Sequence, residues 1–63
     1  MTTITEAERE IVEMIADGYE DKQIAHARGT SVHTVVNQIA WLREKLEARN
    51  RAHLVKLTMG VVK

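Results

Sequence analysis

Sixty-three residues make one small domain whose core is marginal, so a partner subunit would help to stabilise it. Phe is absent and Trp41 and Tyr19 are the only aromatics, which argues against a deep pocket for a sizeable small molecule. Nine Lys and Arg balance nine Asp and Glu, giving no long-range pull on a polyanion, and the lack of Cys excludes disulfides and thiolate metal sites.

In chain order the sequence predicts four helices and three short joints, an all-α fold. Thr5 followed by Glu8 is a capping-box pattern, which starts the first helix near Glu6 with Ile11, Val12 and Ile15 as its inward stripe. Gly18 ends it, since glycine tolerates the left-handed conformation common at helix termini. A second helix of about two turns is expected from Asp21 to Arg28, with Glu20 or Asp21 placing negative charge at its positive end. Its buried contacts are Ile24 and Ala25. Gly29 makes the turn, and the Ser31 hydroxyl caps the third helix by accepting from the N–H of His33 or Thr34.

The third helix is expected to run to about Glu47, where charge replaces the apolar rhythm. Val35, Ile39, Leu42 and Leu46 recur there at helical spacing, so one face is committed to a core and the opposite face is free. Asn50 then caps a fourth helix in which Leu54, Leu57 and Val61 share a face. No repeat, proline-rich linker or low-complexity segment interrupts the chain, so a single domain over 1–63 is expected.

The stretch from Lys22 to Asn37 thus reads as a short helix, a glycine turn, a serine cap and a second helix, the grammar of a helix-turn-helix DNA reader. Charge distribution agrees with it better than net charge does. Residues 1–31 hold seven acids against three bases, net −4, while residues 32–63 hold two acids against six bases, net +4. Such a dipolar domain would orient its positive half, which carries the candidate recognition helix, toward a polyanion.

Ile4-Thr5 with Glu8 and Ile11-Val12 are followed by Gly18, Lys22, Ile24 and Ala25, then by Ser31, Thr34-Val35, Lys45-Leu46 and Arg51-Ala52. In this order and spacing, from Ile4 to about Lys56, the chain resembles the LuxR-type (GerE-like) helix-turn-helix domain. The resemblance implies a four-helix domain whose third helix enters the major groove and whose fourth commonly pairs two copies. Two departures stand out. Val36 and Gln38 occupy positions where the family usually places lysine and histidine, and Arg28 and Thr30 replace aliphatic residues tucked beneath the turn.

Carried over residue by residue, the resemblance points Val36, Asn37 and Ala40 at bases and places His33 and Thr34 near the backbone. Asn37 suits a bidentate contact to adenine, and Val36 and Ala40 suit thymine methyl groups. Arg43 and Lys22 are the phosphate candidates. Trp41 shares a helical face with Thr34, Gln38 and Lys45, beside the core stripe. A lone Trp with so little other aromatic volume is expected as filler at the core or its edge; if exposed, it reads as a partner anchor.

A stand-alone DNA-binding transcription regulator is therefore expected, homodimeric through the C-terminal helix, with Trp41, Leu54, Leu57 and Val61 as the candidate dimer or partner interface. The alternative is an interaction module that binds a larger transcription factor or RNA polymerase without reading DNA. Catalysis finds no support, because His26, His33 and His53 fall on three different helices and no HExxH, glycine-rich phosphate loop or nucleophile elbow is present. No cofactor or metal is expected. No apolar run approaches the roughly 20 residues that span a bilayer, the acidic start does not resemble a secretory signal, and a cytoplasmic location follows.

Overall fold

The computed structural model describes residues 4–59, which form α1 (Glu6–Ala16), α2 (Asp21–Arg28), α3 (Val32–Leu46) and α4 (Arg51–Met59). Val61, assigned from sequence to the last helix and to a partner surface, lies outside the described residues.

Each helix begins where its capping chemistry requires. At α1 the Thr5 hydroxyl accepts from the Glu8 N–H at 3.1 Å while the Glu8 carboxylate accepts from the Thr5 N–H at 3.0 Å, the reciprocal box read from sequence. Glu20 is the residue that precedes α2, and its N–H donates to the Gln23 side chain at 2.8 Å. The Ser31 hydroxyl accepts from the Thr34 N–H at 3.1 Å, and the Asn50 side chain accepts from the His53 N–H at 2.8 Å. His53 completes that last cap: its Nδ1 accepts from the Arg49 N–H at 3.0 Å.

The C-termini close by turning left-handed. Gly29, at φ +66°, lets the Thr30 N–H reach back to the Ala25 carbonyl at 2.9 Å, which makes the tight turn between α2 and α3. At the end of α3 the same conformation falls on Glu47, φ 57° and ψ 39°, and the Ala48 N–H reaches the Arg43 carbonyl at 2.7 Å.

The core is a cluster of eight residues: Ile11 and Val12 from α1, Ile24 and Ala25 from α2, Val35, Ile39 and Leu42 from α3, and Leu54 from α4. Half-buried Ile4, Met14, Ile15, Leu46, Ala48 and Val55 pack around it. All nine inward residues read from the first three helices take part: Ile11, Val12, Ile24, Ala25, Val35, Ile39 and Leu42 lie in the cluster, and Ile15 and Leu46 pack at its rim. The packing pairs α1 with α4, α2 with α3, and α3 with both α1 and α4, so α3 touches all three other helices.

Two expectations are corrected here. Trp41 does not fill the core or its edge; it is 76% exposed, and the aliphatics alone close the interior. Leu54 does not share an outward face with Leu57. It is wholly buried in the core cluster, while Leu57 is 45% exposed, so α4 turns these two leucines to different environments.

Ion pairs join the helices outside this core. Lys45 on α3 meets Glu8 on α1 at 3.0 Å, Arg51 on α4 meets Asp21 on α2 at 2.6 Å, and Arg28 on α2 meets Glu10 on α1 at 2.8 Å. Arg28, which departs from the family's aliphatic pattern, therefore ties the turn region to α1 by charge instead of by packing.

Candidate nucleic-acid interface

The sequence of α3 alternates between one buried ridge and an open surface. Because Val35, Ile39 and Leu42 are drawn inward, helical spacing turns Val36, Asn37 and Ala40 outward, and all three are exposed. His33, one turn before Asn37, is exposed as well. The Asn37 Nδ2 and the His33 Nε2 lie 3.3 Å apart, so the imidazole meets the amide expected to read a base. Thr34 is half-buried, and its hydroxyl lies 2.9 Å from that of the capping Ser31.

The cations divide into bound and unbound. Among the described residues Arg9, Arg28, Lys45 and Arg51 stand in ion pairs with Glu13, Glu10, Glu8 and Asp21. Two of these, Lys45–Glu8 and Arg51–Asp21, join the basic half of the chain to the acidic half, so part of the charge asymmetry seen in the sequence is neutralised within the fold. Lys22, on the exposed first turn of α2, has no carboxylate partner among the described residues, and neither does Arg49. Arg43 is half-buried: its Nη2 donates to the Arg49 carbonyl at 2.6 Å, and its Nε is buried without a partner. That side chain braces the turn between α3 and α4, a role its sequence position did not reveal.

These couplings also set the proton affinities. The Thr5 N–H donating to its carboxylate holds Glu8 below the usual carboxylate range; burial pushes the other way, and Lys45 adds to the lowering. Asp21 is likewise held low by the hydrogen bond from Arg51, against an opposing push from burial, and Arg51 is raised in return.

Beside the exposed face of α3 a cleft of about 350 Å³ runs between α1 and α3, lined by Ala7, Ile11, Thr34, Asn37, Gln38 and Trp41. It is shallow and open along α3. No group of three or more His, Asp or Glu side chains is disposed to hold a metal ion among the described residues, and no described helix is long and apolar enough to cross a membrane.

Comparison with known proteins gives the same direction. The family model of bacterial regulatory proteins of the luxR family matches residues 2–58. The transcriptional regulatory protein DesR of Bacillus subtilis (strain 168) is 38% identical over 52 residues, which are 82% of this chain and 26% of that relative. The chain thus spans about a quarter of the length of this curated relative. No solved structure gives a significant match.

Proposed function

The chain belongs to the luxR family of bacterial regulatory proteins, and from that membership we propose that it regulates transcription by seating α3 in the major groove of double-stranded DNA. One observation carries the reading: Val36, Asn37 and Ala40 form an exposed, unobstructed face directly opposite the buried ridge of α3. Asn37 offers its amide to adenine, and Val36 and Ala40 offer methyl contacts to thymine, which favours A·T-rich sites. Lys22, His33 and Thr34 lie along the backbone, and Arg43 supports them by holding the turn that follows α3.

A homodimer through α4 suits this function. Leu57 and Met59 are exposed on that helix, and two recognition helices related by a two-fold axis would read half-sites one DNA turn, about 34 Å, apart. Pairing also doubles the phosphate contacts of a protomer with few unbound cations.

The test is a binding titration of the chain against A·T-rich and G·C-rich duplexes at two salt concentrations. Preference for the A·T-rich duplex, lost in Asn37→Ala while affinity for mixed DNA persists, supports the reading. Absence of binding to every duplex at low salt overturns it.

A second reading has its own support. Val36 stands where the family usually carries lysine, and Trp41 is exposed, both of which suit an interaction module that engages a larger transcription factor or polymerase. In that case Trp41→Ala and Leu57→Ala disrupt the complex, whereas Asn37→Ala is silent.

A further inference from the structure

The least expected side chain on the surface is Trp41. It is the largest in the chain and it contributes almost nothing to the core, which eight aliphatic residues close without it. It lies on α3 one turn after Asn37 and beside Ala40, on the flank of the reading face that looks toward α1. Its indole N–H makes no hydrogen bond among the described residues. We propose that Trp41 is a DNA-contacting residue, in which the indole packs against the sugars of the groove wall and its N–H donates to a backbone phosphate oxygen. The inference rests on the DNA reading proposed above.

Dimensions carry the first step. A helix with its side chains is about 10–12 Å across and the major groove is about 12 Å wide, so a seated helix has both flanks against the walls. A side chain exposed on that flank and as long as Trp reaches the wall before the base edges. Chemistry carries the second. Lys45, the cation on the same flank, is held by both carboxylate oxygens of Glu8 at 3.0 and 3.2 Å, so this side of α3 presents an aromatic surface where a free cation would otherwise stand. An indole has an apolar body for the deoxyribose carbons and a polar edge for a phosphate oxygen. A contact of this kind displaces no counterion, and it therefore differs from Lys or Arg in how it responds to salt.

Trp41 is the one tryptophan, so its emission reports on its own surroundings. The experiment uses the full chain and a fluorescein-labelled mixed-sequence duplex of about 20 base pairs, two helical turns. Anisotropy of the label measures affinity at several salt concentrations, and tryptophan emission is followed in parallel with unlabelled duplex. Binding accompanied by a change in Trp41 emission, with affinity about tenfold lower in Trp41→Ala, an unchanged salt slope and partial recovery in Trp41→Phe, is the expected result. Circular dichroism of the variants separates contact loss from misfolding. If the chain binds duplex but neither the emission nor the affinity of Trp41→Ala changes, the indole lies outside the DNA and its partner is a protein. Failure of the unmodified chain to bind any duplex overturns the DNA reading itself, and this inference with it.

Discussion

Lys45 on α3 reaches across to Glu8 on α1 and holds both of its carboxylate oxygens, at 3.0 and 3.2 Å, while Glu8 accepts the Thr5 N–H at the start of its own helix. One carboxylate thereby caps α1 and fixes α3 against it. The orientation of the exposed face of α3 depends on this joint as well as on the core.

Acid should loosen the fold through this joint and its counterpart, Asp21–Arg51. Both carboxylates have folded-state proton affinities below their usual range, so the unfolded chain takes up protons first as pH falls. Their stabilisation is complete above about pH 5 and is lost progressively below about pH 4 as the depressed values are crossed. Thermal melting followed by circular dichroism should show a lower midpoint at pH 3 than at pH 6. The drop should shrink in Glu8→Gln combined with Asp21→Asn, which begin less stable. A drop of the same size in that double variant would place the acid sensitivity elsewhere.

Glu47→Gly should stabilise the domain. Glu47 is the single non-glycine residue with positive φ among those described, and its side chain makes no hydrogen bond or ion pair there. A left-handed residue with a Cβ costs about 1–2 kcal/mol, and glycine removes that strain while losing some chain entropy on folding. Removing a negative charge from the negative end of α3 helps further. A net gain of about 0.5–1 kcal/mol corresponds to a rise of roughly 3–6 °C in Tm for a chain this short. A fall in Tm would mean that Glu47 supports the turn in a way its geometry does not reveal.

The helices were legible because their signals are local. Thr5 with Glu8, Ser31 and Asn50 announce three starts, and the stripe Val35, Ile39, Leu42 and Leu46 announces which side of α3 turns inward. What was hidden depends on where separate elements meet. Helical spacing sets Trp41 beside the core stripe, but only the placement of α1 decides whether that position is covered. The apolar residues of α4 are spread over more than one face, so nothing local distinguishes buried Leu54 from exposed Leu57. Lys45–Glu8 and Arg51–Asp21 are separated by 37 and 30 positions, beyond the reach of any spacing rule.

Leu54 and Leu57 should separate folding from association. Leu54→Ala leaves a cavity at the meeting point of four helices and should cost about 2–5 kcal/mol, a large part of the stability of a marginal domain. Leu57→Ala changes an exposed side chain and should shift monomer stability by no more than about 0.5 kcal/mol. In the dimer proposed through α4 it should raise the dissociation constant measured by sedimentation equilibrium. A Leu57→Ala variant that dimerises like the parent would move the pairing surface away from this helix.

Lys22 and Lys45 should differ in what they contribute on DNA. Lys22 has no carboxylate partner among the described residues, so a phosphate it meets loses a counterion; Lys45 is already neutralised by Glu8. Each phosphate neutralised steepens the dependence of log affinity on log salt by about 0.9. Lys22→Ala should therefore weaken binding to all duplexes alike and flatten that slope by about 1. Lys45→Ala should lower the melting temperature by releasing α3 from α1, yet leave the slope of the folded fraction unchanged. Equal flattening in both variants would show that Lys45 leaves Glu8 when DNA binds, making that ion pair a latch that the phosphate backbone opens.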